Sequence, residues 1–337
     1  MKILTTITLS ATFLMAGSLI DDAKNAGLAP IPSSNAELLK LIDNPNNPIT
    51  DAKVELGKKL YFDPRLSKSE IINCNFCHNL SEGGDDGVEA SIGHKWTQNP
   101  HHVNAPTVYN AVFNNIQFWD GRAKDLEEQA QGPIQAHPEM AATKEHVESV
   151  VTSMPEYVNE FQNAYGKDVT ISFEKITDTI GLFERTLVTP APYDAFLQGD
   201  KTALNQKEKE GLKTFIQLGC VSCHNGVGLG GSMNAFNVTE TYKYMNVGDF
   251  KGDKNGMVRV PTLRNITQTA PYFHNGKVWS LKDAIKEMGR IQLGSKITDK
   301  QATSIEEFLK SLTGKKPNLS MPILPASTDK TPKPSLN

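Results

Sequence analysis

The sequence predicts a mainly α-helical chain made of two similar units with long loops, and three observations carry that expectation. The run Cys74-Asn-Phe-Cys-His78 recurs as Cys220-Val-Ser-Cys-His224, and the two runs hold all four cysteines. A stretch with helical spacing leads into each: Val54-Glu-Leu-Gly-Lys-Lys-Leu-Tyr-Phe62 before the first, Gly211-Leu-Lys-Thr-Phe-Ile216 before the second. The length, 337 residues, is itself that of about two domains.

Taken in order, the chain begins with Lys2 and an apolar stretch from Ile3 to Ile20, followed by the acidic pair Asp21-Asp22. Segment 1–20 reads as a secretory signal peptide, cut between residues 16 and 23, because its core is short and rich in Thr and Ser for a spanning helix. A Pro- and Asn-rich arm with one short helix near 36–42 follows. Thr50 is placed to cap a helix from Asp51 to Phe62 that delivers the chain to Cys74. Residues 81–104, with Gly83, Gly84, Gly87 and Gly93, read as loop. Helical spacing returns at Val147, Val150, Val151 and Met154, then at Tyr157, Phe161 and Tyr165 behind Pro155. Ser172 caps a longer helix carrying Phe173, Ile176, Ile180, Phe183 and Leu187, which the Thr189-Pro-Ala-Pro192 break ends. Asn205 opens the helix that runs into Cys220. Residues 226–275 read as loop, Ser280 caps a short helix stopped at Gly289, and Thr298-Asp-Lys-Gln301 is a capping box. The expected division is a signal at 1–20, a first unit at 21–170, a second at 171–320 and an extended tail at 321–337.

A Cys-x-x-Cys-His run suits covalent haem: two thiols form thioethers with the porphyrin vinyl groups while the adjacent imidazole reaches the iron. Zinc pairs repeat Cys-x-x-Cys with further ligands at set spacings, and a redox dithiol needs no trailing His. Two c-type haems are therefore expected, with thioethers at Cys74, Cys77, Cys220 and Cys223, and they would supply apolar surface that a chain of only 38% hydrophobic residues otherwise lacks. A net charge of −3 with no basic run gives no support to nucleic-acid binding.

His78 and His224 supply one iron ligand each, and the opposite face of each iron decides the chemistry. A closed face gives an electron carrier, and an openable one admits a small oxidant. For the first haem the residues leave His94, His101, His102, His137 and Met140 as candidates. For the second they leave Met233, Met245, Met257, Met288 and His274. Glu139, between Pro138 and Met140, reads by itself as a solvated carboxylate.

Taken together, Cys74-Asn-Phe-Cys-His-Asn79, Ser91-Ile-Gly-His94, Asn104-Ala-Pro-Thr107, Gln117-Phe-Trp-Asp-Gly-Arg122, Cys220-Val-Ser-Cys-His-Asn-Gly226 and Thr269-Ala-Pro-Tyr-Phe-His274 resemble the bacterial dihaem cytochrome c peroxidase family over nearly all of the chain past the signal. The resemblance implies two cytochrome c-like haem domains and reduction of hydrogen peroxide. It makes the haem on His78 the peroxidatic one, with His94 as a displaceable distal ligand, and the haem on His224 the electron-transferring one, with Met288 opposite. It puts Trp119 on the electron path between the haems and makes Glu139 and Gln129 the distal acid-base and orienting groups. It further implies one calcium ion near Asn104, Thr269 and Pro271, an electron donor that is a small cytochrome c or a cupredoxin, a homodimer and a periplasmic setting. A related branch, typified by MauG, oxidises protein side chains and carries Tyr where this chain has Met288. The run Asn99-Pro-His-His-Val103 is about two residues longer than the family pattern.

Overall fold

The computed structural model describes residues 18–337. Most of the signal-like segment therefore lies outside the described residues. Ser18 and Asp21 form a capping box that starts α1 (Leu19–Asn25), whose Ile20 and Ala23 are buried. The expected boundary at residue 20 thus falls inside a packed helix. A short α2 (Asn35–Ile42) follows.

The first core is a helical cluster. Thr50 accepts from the Lys53 N–H and opens α3 (Asp51–Phe62). The α4 turn (Cys74–Cys77) carries the first cysteine pair. A two-residue hairpin, β1 (Ile92–Gly93) and β2 (Thr97–Gln98), interrupts the expected loop and holds His94 at its tip. Then come α5 (Leu126–Gln135), α6 (Lys144–Thr152), α7 (Pro155–Tyr165) and α8 (Phe173–Arg185), the last two begun by Pro155 and the Ser172 cap as the sequence predicts. The apolar stripe of α8 (Phe173, Ile176, Ile180, Phe183) packs against Leu56, Leu60 and Tyr61 of α3. This helix belongs to the first core by its packing, beyond the boundary at residue 170 expected from the sequence.

The second core joins α1 to α9 (Pro192–Leu197), α10 (Gln206–Gln217) and α12 (Asp299–Lys310). A second hairpin pairs β3 (Met233–Ala235) with β4 (Met257–Arg259), Met233 opposite Arg259. Ser280 caps α11 (Leu281–Leu293), which runs through Gly289 instead of stopping there. Its end is Gly294, left-handed at φ 58°. Gly289 serves packing, because a Cβ on it would lie 2.5 Å from the Ile297 side chain.

The internal repeat is physical. In α3 and α10 a glycine precedes a buried aromatic by one turn, Gly57 before Tyr61 and Gly211 before Phe215. Each glycine lets its helix touch a partner backbone: a Cβ would sit 2.3 Å from Thr179 O on α8 and 2.1 Å from Ser304 O on α12. The two units are joined at a buried polar knot. Thr189 Oγ1 accepts from Asn110 Nδ2 at 2.7 Å and from Asn265 Nδ2 at 2.9 Å. The tail has no helix or strand, yet it docks on the first unit. Arg65 Nη1 donates to Pro325 O at 2.8 Å, Thr328 Oγ1 to Ser153 O at 2.9 Å, and the Ser335 N–H to Lys68 O at 2.8 Å.

Candidate active site: two cavities with a shared wall

Both Cys-x-x-Cys-His runs fold the same way. A single helical turn ends with the His78 N–H donating to Cys74 O at 2.9 Å and the His224 N–H to Cys220 O at 3.0 Å. Each imidazole then meets a backbone carbonyl through Nδ1: His78 with Pro106 O at 3.0 Å, His224 with Leu229 O at 3.1 Å. Donation from Nδ1 leaves Nε2 with its lone pair, the arrangement by which a metal-binding histidine is oriented. Burial also disfavours the imidazolium, lowering His78 and bringing His224 down to about 4. The site residues thus fit an iron at each Nε2. Burial pushes the Cys77 thiol up to about 12 and Cys220 up to about 11, so neither is a ready thiolate nucleophile.

Cys77 and His78 open into a cavity whose walls also carry Trp119, Gln129 and Glu139. Gln129 comes from α5, started by the Asp125 cap, and Glu139 from the turn that follows it. Burial raises the Glu139 carboxyl above the usual carboxylate range, while Arg122 and His101 pull it down. Glu184, on α8, lines the same cavity; burial raises it to about 8, and among the described residues its Oε2 has no partner. His101 Nδ1 and Asp249 Oδ2 form a 2.7 Å hydrogen bond on the cavity wall, so the longer run 99–103 is tied to the loop before β4.

His94 is not on this wall. It is 2% exposed, and neither ring nitrogen has a hydrogen-bond partner. Its ring stands edge-on to His137 at 5.9 Å, and its N–H donates to Glu139 O at 2.7 Å. Burial, then Lys95, Lys68 and His137, lower the pKa of the imidazole. Gly93 makes the approach possible, since a Cβ there would lie 2.0 Å from Pro138 O.

The second cavity is lined by Cys220, Cys223 and His224 and by Met288 of α11. Of the four methionines left open by the sequence only Met288 lines it, and Met245 Sδ is engaged by Asn237 Nδ2 at 3.2 Å. His274 lines it too, with Nε2 unpartnered and the ring held neutral by burial.

Asn104, Ala105, Pro106, Thr107, Trp119 and Arg259 line both cavities and form their common wall. Trp119 is fixed there by Nε1 donating to Asn104 O at 2.9 Å, and the Asn104 N–H donates to His274 O at 2.8 Å. Thr269 and Pro271 also line the second cavity, and among the described residues neither backbone carbonyl accepts a hydrogen bond. Two carbonyl oxygens of this kind are the type of ligand a hard cation takes. Among the described residues there is no cluster of three or more His, Cys, Asp or Glu that would hold a metal.

Sequence reasoning missed Arg259 and Glu184. Arg259 left a faint signal, a lone cation between Val258 and Val260. Glu184 left none, since a charged residue in an amphipathic helix reads as solvated.

The family model described as di-haem cytochrome c peroxidase matches residues 51–202, and that of cytochrome c matches 208–313. The chain is 45% identical to cytochrome c551 peroxidase of Pseudomonas aeruginosa, over 96% of this chain and 95% of that one. It is 47% identical to the cytochrome c551 peroxidase of Nitrosomonas europaea, over 98% and 96%. Among solved structures it is similar to a MauG-like protein associated with microbial copper homeostasis, with 26% identity, a TM-score of 0.69, and 81% and 92% of the two chains covered.

Proposed function

The chain belongs to the di-haem cytochrome c peroxidase family, and on that premise we propose that it reduces hydrogen peroxide in the cavity of His78, Gln129 and Glu139 with electrons delivered through the cavity of His224 and Met288. It is a peroxidase with two c-type haems. When bound, those haems supply an iron at which the O–O bond is cleaved and a second iron that stores an electron. The chain's own residues handle protons and position. Glu139 would take a proton from one oxygen of the peroxide and return it to the other as the O–O bond breaks. Burial raises its pKa, which makes it a stronger base for that proton, and Arg122 and His101 act in the opposite direction. Gln129 orients the peroxide from α5. His94 is the displaceable ligand: its hairpin rests on the Glu139 backbone, so its movement and the position of Glu139 are tied.

Trp119, on the wall common to both cavities, is the electron path. Met288, which lines the cavity of His224, would hold the second iron together with that histidine. Asn104, Thr269 and Pro271 bind one calcium ion and hold that wall together. The two relatives are named cytochrome c551 peroxidases, which puts a small cytochrome c first as donor, with a cupredoxin second. We assign the protein to the periplasm as a homodimer; among the described residues no helix is long and apolar enough to cross a membrane. Packing of Ile20 and Ala23 favours signal cleavage at the start of the expected window.

The observation that carries this reading is the convergence of His78, Gln129 and Glu139 on one cavity that shares the Trp119 wall with the other. Glu139→Gln in the haem-loaded protein is expected to lower peroxide turnover by about 10²- to 10⁴-fold with both haem spectra intact. Normal turnover in that variant refutes the assignment.

A further inference from the structure

Four arginines are buried among the described residues: Arg65, Arg185, Arg259 and Arg264. Three have carboxylate partners: Arg65 with Asp63 at 2.6 Å, Arg185 with Glu127 at 3.2 Å, and Arg264 with Asp194 at 2.8 Å. Arg259 has none. It is 3% exposed, its N–H donates to Trp119 O at 2.8 Å, and Nε donates to Phe118 O at 3.0 Å. Nη1 and Nη2 make no hydrogen bond among the described residues, although the side chain lines both cavities. Among the described residues it is also the only Arg, Lys, Asp or Glu on the wall of the second cavity. A buried, unpaired charge is costly, and burial alone pulls this guanidinium down to about 10, where it is still protonated at neutral pH. The pair it lacks is an anion that enters both cavities. Each haem carries two propionate carboxylates, and a guanidinium fork matches carboxylate geometry.

We infer that Arg259 is a shared counter-ion for propionates of both haems, a positioning residue that sets the two reduction potentials together. The inference rests on the two-haem reading. A cation beside an iron favours the reduced state, because reduction adds negative charge; with the cation gone, an unbalanced propionate favours the oxidised state. One side chain in both cavities therefore acts on both couples. Trp119, whose carbonyl accepts from Arg259 and whose ring centroid lies 5.8 Å from the guanidinium, stands beside it on the same wall.

The test is spectroelectrochemical titration of the full haem-loaded chain, with haem counted by pyridine haemochrome, for wild type, Arg259→Gln, Arg259→Met and Arg259→Lys. In both neutral variants, the electron affinity of each haem is expected to fall by about tenfold or more, ~59 mV for a one-electron couple, and Lys is expected to restore most of it. Two neutral variants guard against loss of one to misfolding. Unmoved potentials, a change confined to one haem, or a Lys variant as low as the neutral ones would overturn the shared counter-ion. Fewer than two haems in the wild-type chain would instead overturn the reading beneath it.

Discussion

Gly93→Ala isolates the contact on which the proposed gating depends. Gly93 has φ −125°, so the substitution adds no left-handed strain, and the first thing it meets is the contact made by the new methyl group. That methyl would lie 2.0 Å from Pro138 O and 2.8 Å from Glu139 Cα, against ordinary contact beginning at 3.4 Å. The obstructing atoms are backbone, so the β1–β2 hairpin and the 138–139 turn must separate by more than about 1 Å. Overpacking of this kind costs ~1–3 kcal/mol, and loss of the 2.7 Å bond from the His94 N–H to Glu139 O adds ~0.5–1.5 kcal/mol. Against a total stability of roughly 5–15 kcal/mol the chain stays folded. The larger effect falls on chemistry: a misplacement of about 1 Å in a positioned group costs about 10²-fold in rate. Steady-state peroxide turnover, urea denaturation and the spin state of the His78 haem, measured on one preparation, check this. The expected result is a modest stability loss, a large turnover loss, and a spin state of the His78 haem that differs from that of wild type. Wild-type turnover with an unchanged denaturation midpoint would show that the hairpin and Glu139 are not mechanically joined.

Glu184 has a raised folded pKa, about 8, so between the ordinary carboxylate value and that point the folded chain holds more protons than the unfolded one. Stability should therefore fall as pH rises across that interval, by up to ~1.4 kcal/mol per pH unit. Glu184→Gln should flatten the dependence in urea titrations from about pH 5 to about pH 8.5, and an unaltered slope would place the titration elsewhere. Asp194 accepts from Arg264 at 2.8 and 3.0 Å and from the Ile31 and Ala191 N–H groups at 2.7 Å each. Removing it by Asp194→Ala leaves Arg264 charged and buried, an expected loss of ~3–5 kcal/mol by chemical denaturation; a loss under about 1 kcal/mol would show that solvent reaches the pair. Met288→Ala should lower the potential of the His224 haem while leaving the other unchanged, and an unchanged potential would hand the ligand role to His274.

The parts of this site that were legible in the sequence are those whose chemistry works at short range along the chain. A thioether pair and its histidine fit within one helical turn, so Cys74 to His78 and Cys220 to His224 announce themselves. The caps at Thr50, Ser172, Asn205, Ser280 and Thr298 did so for the same reason, each accepting from the N–H three residues on. An amphipathic stripe tells which face of α8 is buried but not against what, which is why the boundary at residue 170 missed its place in the first core. Gly289 looked like a stop because a glycine in a helix is unfavourable; the packing of Ile297 against it decides otherwise. The tail is poor in apolar residues, yet it docks by hydrogen bonds that include the bare carbonyl of Pro325, a group every residue has. The wall between the cavities is the extreme case. It brings Asn104 onto His274 and Trp119 onto Arg259, contacts spanning well over a hundred residues, and each is made in part by backbone atoms. Cofactor attachment is thus written locally, whereas the electrostatics that govern what a cofactor does arise only when distant segments meet, and an arginine with no acid beside it is how that second layer becomes visible.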